Sequence, residues 1–132
     1  MNNLLGCRVL VVEDEVLVAW ALEDMLTALG CGVIGPAARV DQALAMVAAG
    51  SIDVAVLDVN LNGQKSYSVA DALVAQGVPF VFSTGYHKDS MADGYRDSPM
   101  LQKPYEQAEL GNILAKLLFP AEPLRQVTEP LL

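Results

Sequence analysis

Short apolar runs that stop abruptly at polar residues, separated by stretches of helical spacing that a glycine closes, leave this chain few folds to choose from. "CRVLVVEDE" carries Val9 to Val12 into three acids, and "VAVLDVNLNG" carries Val54 to Leu57 into Asp58. "GVIGP", "VPFVFS" and the brief Met100 to Gln102 add further short strands. Continuous apolar runs of this length suit strands buried on both faces. Between them Val18, Leu22, Met25, Leu26 and Leu29 recur before Gly30, Val40, Ala43, Leu44 and Val47 before Gly50, and Val69, Ala70, Leu73 and Val74 before Gly77. Leu110, Ile113, Leu114 and Leu117 mark a last helix before Pro120. Each is an amphipathic helix with a stop signal. The segment 85–99 lacks a sustained apolar stripe, so any helix there is short. Five βα units with little chain to spare predict an α/β fold, an open (βα)5 parallel five-stranded sheet wound on both faces by helices.

Length and charge narrow the function. The 132 residues make one domain. The net charge of -8 opposes nonspecific binding to nucleic acid or anionic lipid. "MNNLLGCRVL" has no charged stretch followed by an apolar one, and no apolar run approaches the ~18 residues of a membrane span. A cytoplasmic protein with no membrane partner is expected. Residues 1–119 form the domain, and 120–132, with Pro120, Pro123 and Pro130, form a tail that cannot continue the helix and adds no output domain. Cys7 and Cys31 each precede a strand, which makes a bridge conceivable. A reducing compartment favours thiols.

In doubly wound sheets ligands bind at the carboxyl ends of the strands, near the point where strand order reverses. Glu13 and Asp14, Asp58, Ser83 and Thr84, and Lys103 all converge on that edge. Three carboxylates within ~5 Å repel by roughly 3 kcal/mol per pair at an effective dielectric of about 20. A divalent cation relieves this, and all-oxygen donors favour a hard ion such as Mg²⁺. The same cation can neutralise a phosphoryl group, with Lys103 and Thr84 supplying a charge and a hydroxyl. The collection reads as a phosphoryl-transfer site with aspartate as acceptor.

"VLVVEDE", "VAVLDVNLNG", "FVFSTGY" and "LQKPY", in this order and spacing, resemble the receiver domains of two-component response regulators over Arg8 to Leu118. The resemblance implies a flavodoxin-like strand order 2-1-3-4-5. It implies that Asp58 takes a phosphoryl group from a phosphohistidine on a histidine kinase or phosphotransfer protein. It further implies that Glu13, Asp14, Asp58 and the backbone carbonyl of Asn60 bind Mg²⁺. Thr84 then hydrogen-bonds the phosphoryl group, Lys103 pairs with it, and the Lys103–Pro104 bond is cis. "PFVFSTGY" is similar to the FATGUY group, which occurs alone or at the C-terminus of hybrid kinases, with Ser83 in place of Ala. Signalling by protein contacts or as a phosphate sink follows, without small-molecule turnover. Where such receivers carry a switch aromatic, this chain has Met100. We therefore expect phosphorylation to order the segment from Gly85 to about Arg96, with Tyr86 as the aromatic participant. Val16 and Trp20, one turn apart on the less apolar face of the first helix, form a candidate kinase-contacting patch. Partial burial of Trp20 under a loop is the other reading.

Competing readings are weaker. Glu13, Asp14 and Glu15 would also suit the positive end of the first helix. Gly30-Cys31-Gly32-Val33-Ile34-Gly35 matches G-x-G-x-x-G but follows a helix and enters a strand, the reverse of a dinucleotide fingerprint. His87 is either a tuning residue or a solvated loop histidine. A phosphatase of the haloacid dehalogenase type needs a second aspartate where Asn60 stands. A flavodoxin-like FMN binder needs a phosphate loop after the first strand, and none is there.

Overall fold

The computed structural model describes residues 4–85 and 91–120. The strands follow as β1 (Arg8–Val12), β2 (Gly32–Ala37), β3 (Val54–Asp58), β4 (Asn60–Leu61), β5 (Gln64–Lys65), β6 (Phe80–Thr84) and β7 (Met100–Gln102). The helices are α1 (Val16–Ala28), α2 (Val40–Ala49), α3 (Tyr67–Ala75) and α4 (Gln107–Leu118). Five strands pair in parallel in the order β2-β1-β3-β6-β7, and β4 with β5 forms a separate antiparallel hairpin. With the hairpin set aside, this is the expected 2-1-3-4-5 order. Chain direction across the sheet reverses between β1 and β3, so the crevice at their carboxyl ends is where a ligand belongs.

The apolar runs are buried because helices cover both faces. Leu10, Val12, Ala55, Leu57 and Phe82 point to the side packed by α2 and α3. Val9, Val11, Val54, Val56 and Val81 point to the side packed by α1 and α4. Each fully buried Val or Leu contributes about 1.5–3 kcal/mol, so the sheet is the rigid part of the molecule. One departure from the sequence pattern matters. Val74, assigned to a core stripe, is exposed. Between β6 and β7 the described residues 91–98 form turns and bends rather than a helix. Tyr86 and His87 lie outside the described residues, as does the tail from 121 onward.

The two ends of β2 show how close packing positions a functional residue. Gly30, at φ +91, ends α1, and Gly35, at φ +102, lies so near β1 that a β-carbon there would stand 2.8 Å from the Val11 carbonyl. Beyond Gly35 the β1–β2 register shifts, and the Ala37 carbonyl accepts the Glu13 N–H at 2.9 Å. The G-x-G-x-x-G match is thus a helix stop and a bulged strand. Cys7 and Cys31 are both thiols, and burial is the chief cause that raises each above its ordinary range. Among the described residues no helix is long and apolar enough to cross a membrane.

Candidate functional site

Asp58 ends the central strand β3, which is buried along Val54 to Leu57. The β1 run delivers Glu13 and Asp14 beside it, and one carboxylate oxygen from each of Glu13, Asp14 and Asp58 lies within 4.8 Å of the others. β7 delivers Lys103, whose Nζ is 2.9 Å from Glu13 Oε1 and 3.5 Å from Asp58 Oδ2. The Lys103–Pro104 peptide is cis. Thr84 closes β6 and is 2% exposed, and the strand register sets Ser83 opposite Asp58. The structure therefore brings together Glu13, Asp14, Asp58, Thr84 and Lys103. Asp14, Glu15, Asp58, Asn60, Thr84 and Gly85 line a recess of about 240 Å³ at this edge. That is below the usual range for drug-sized ligands, and it suits a small anion.

The electrostatics follow from the crowding. Burial first, then the charge of Glu13, pushes the Asp58 carboxyl up from 3.8 to about 7, with Lys103 opposing and a hydrogen bond to Glu13 and the charge of Asp14 adding to the rise. Burial pulls the Lys103 amine down, but its hydrogen bond to Glu13 and the charges of Asp58 and Glu13 outweigh that and hold it above its ordinary value. One lysine does not offset three carboxylates. The set fits a hard divalent cation such as Mg²⁺, because its donors are all oxygens and its negative charge is in excess. Asn60 opens the β4–β5 hairpin beside the recess, and its buried Oδ1 has no partner among the described residues.

Several contacts escaped the sequence reading. The segment after Asp58 is polar in sequence, yet Asn62 at φ 51 and Gly63 at φ 88 turn a tight hairpin. Asn-Gly is the preferred sequence for such a turn, so the signal was present. The turn carries weight, because the Asn62 N–H donates to Asp14 Oδ2 at 2.9 Å. Ser66, fully buried, donates from Oγ to the Asp58 carbonyl at 2.7 Å. Glu13 does part of the capping work its position suggested, since its Oε2 accepts the Glu15 N–H at 3.1 Å.

Away from the acids, Val16 and Trp20 are each 59% exposed, so Trp20 is not covered by a loop. Leu17, missed from the sequence, is 75% exposed beside them. Leu17, Val18, Ala21, Met25, Pro104 and Tyr105 line an apolar groove that runs up to Lys103. Met100 is half-buried opposite Phe82 in the β6–β7 pairing. The aromatic contacts on this face come from elsewhere: Tyr67 stacks on Tyr95, and both meet the ring of Phe82 edge-on.

The sequence model of the response regulator receiver domain matches residues 9–115. The phyllosphere-induced regulator PhyR of Methylorubrum extorquens is 29% identical over 120 residues, which are 87% of this chain and 45% of PhyR. The chain spans about half the length of the curated relatives it matches. The solution structure of SdrG from Sphingomonas melonis Fr1 is 47% identical with a TM-score of 0.77, covering 86% of this chain and 97% of SdrG. The receiver domain of the sensor histidine kinase PA1611 from Pseudomonas aeruginosa, with a magnesium ion coordinated in its active-site cleft, is 27% identical with a TM-score of 0.71, covering 86% of this chain and 98% of that domain. On a match that takes in all five parallel strands and the acidic edge they share, the chain belongs to the response regulator receiver domain family.

Proposed function

We propose that this chain is a phosphoacceptor whose Asp58 takes a phosphoryl group from the phosphohistidine of a histidine kinase or phosphotransfer protein. The observation that carries the reading is the Asp58 carboxylate at the end of the central strand, with Lys103 at 3.5 Å and Glu13 and Asp14 beside it. An Asp58 oxygen forms the new P–O bond as the P–N bond breaks. The departing imidazole keeps the electron pair and takes a proton from solvent. Lys103 pairs with a phosphoryl oxygen and the Thr84 hydroxyl donates to another. Glu13, Asp14, Asp58 and the Asn60 carbonyl hold Mg²⁺, which when bound supplies charge to offset the carboxylates and the incoming phosphoryl oxygens. Residues 1–119 act as the receiver and 120–132 as a tail, in the cytoplasm. The chain aids its own phosphorylation and dephosphorylation but turns over no small molecule. Its output passes through protein contacts or through competition for phosphoryl groups.

Val16, Leu17 and Trp20, with the groove reaching Lys103, make the docking surface for the donor. Apolar side chains this exposed beside a charged recess gain from burial against a partner helix. The test is intact-mass analysis after exposure to acetyl phosphate or a phosphorylated kinase. The unchanged chain gains one phosphate and Asp58→Asn gains none; phosphate on the Asn variant sinks the assignment. Trp20→Ala combined with Leu17→Ala should slow transfer from the kinase and leave labelling by acetyl phosphate unchanged. Equal kinase rates would move the docking surface elsewhere.

A further inference from the structure

Residues 91–98, the described stretch leading into β7, are fastened to α3 by side chains. The Tyr95 hydroxyl donates to Asp71 Oδ1. The Tyr95 ring stacks on Tyr67 with centroids 4.7 Å apart and planes at 22°. The Tyr67 hydroxyl accepts the Ala92 N–H at 3.1 Å and reaches Met91 Sδ at 3.9 Å. Met91 is 3% exposed, so it is anchored in the core. Tyr67 and Asp71 stand one helical turn apart, so one face of α3 grips the whole segment.

Two threads join this grip to Asp58. Along the first, the Asp58 carbonyl accepts the Ser66 hydroxyl at 2.7 Å, and Tyr67 is the next residue. Along the second, Asp58 lies opposite Ser83 in the sheet, and Thr84 shares its strand face with Phe82, whose ring meets Tyr67 at 5.9 Å and Tyr95 at 5.8 Å. Met100, on the neighbouring strand, offers this space no ring.

We infer that Tyr67, Asp71 and Tyr95 form a clamp that is closed in the unmodified chain and opened by phosphorylation of Asp58, so that Tyr95 performs the switching for which Met100 is unsuited. This reverses the ordering expected from the sequence, because residues 91–95 are already fastened to α3. The inference rests on Asp58 being the phosphoacceptor. A phosphoryl group adds roughly -1.5 to -2 charges at the recess and draws the Thr84 hydroxyl toward it. That movement withdraws a buried side chain from the face where Phe82 and Tyr95 meet. Either a void of methyl size remains or Tyr95 follows and gives up its bond to Asp71. The two costs are of similar size, which is the condition for a two-state element that a ligand can tip.

Coupling of this kind is reciprocal: if activation opens the clamp, a weakened clamp makes activation easier. Tyr95→Phe removes one hydroxyl and keeps the stacked ring, and Asp71→Asn weakens the same bond from the other side. Beryllofluoride with Mg²⁺ serves as the activator, titrated by Trp20 fluorescence on the full chain, with thermal denaturation in parallel. Each variant should bind beryllofluoride about 3- to 10-fold more tightly, and the double variant no more tightly than Tyr95→Phe alone, because that change already removes the bond to Asp71 and the 3.5 Å contact with the Tyr67 carbonyl. Lowered stability with wild-type affinity overturns the clamp as a switch and leaves it a structural strap. Weaker binding also overturns it, since the clamp would then belong to the activated state. If the unchanged chain binds no beryllofluoride, or Asp58→Asn binds it equally well, the phosphoacceptor reading itself fails and the clamp with it.

Discussion

Replacing Asp58 with asparagine should make the metal-free protein more stable, and only above about pH 4. The side chain is 13% exposed and sits against Glu13 and Asp14 with Lys103 as counter-charge. Its carboxyl titrates at about 7 in the folded chain against 3.8 ordinarily, chiefly through burial. A carboxyl raised on folding is protonated in both states below the lower value, so folding carries no penalty there. Between the two values the unfolded chain ionises first, and stability falls as pH rises. Above about 7 the loss is complete. At 1.36 kcal/mol per tenfold step the gap sets a ceiling of about 4 kcal/mol. Partial solvent access, and the loss of the Asp58–Lys103 pair in the variant, reduce this to about 2 kcal/mol. For a domain of this size that is a midpoint shift of roughly 8 °C. Thermal denaturation in EDTA from pH 4 to 8 should show no difference between wild type and Asp58→Asn at the acid end and the full gain at pH 8. Saturating Mg²⁺ should reverse the order, because it stabilises the intact carboxylate set by about 2.7 kcal/mol at a hundred times its Kd. Equal stability of the two proteins at pH 8 in EDTA, or the same difference at pH 4, would refute the reasoning.

Three further outcomes follow from the same geometry. Lys103→Met strips the cation from Glu13, which is 3% exposed, and should cost about 3 kcal/mol in EDTA. Mg²⁺ should restore much of that loss, and an equal loss with and without Mg²⁺ would show the lysine is not balancing the acids. Asp14→Ala should weaken Mg²⁺ at least tenfold, ~1.4 kcal/mol, as read by isothermal titration; unchanged affinity would remove Asp14 from the site. Gly35→Ala meets both a φ of +102 and the Val11 carbonyl at 2.8 Å, so it should cost about 1–3 kcal/mol in urea denaturation. Gly32→Ala, with only a contact at 3.9 Å, is the control, and equal costs would refute the close-packing argument.

Local sequence determined the strands, the helices and the edge where the acids meet. Burial on both faces writes itself as a continuous apolar run, and a run that stops at Glu13 or Asp58 marks a strand end without reference to the rest of the chain. The hairpin after Asp58 was equally local: Asn62-Gly63 spelled the turn, although the polar residues around it read as a loop. Tertiary structure decided which residues meet at long range. Lys103 reaches Glu13 across 90 positions only because β7 and β1 end at the same edge. Tyr67 and Tyr95 carry no mutual signal in sequence, and their stacking depends on how α3 is rotated on the sheet and on where the segment after β6 returns. The same rotation exposes Val74, and the rotation of α1 leaves Leu17 in solvent beside Trp20. Helical spacing specifies that a face is apolar, but which few of its residues face the core is settled by the packing partner. The approach of Gly35 to Val11, which brings Ala37 to Glu13, is likewise a contact between neighbouring strands. Periodicity and stop signals act over a few residues and are written in the chain, whereas pairings across tens of residues exist only once the strand order has been fixed.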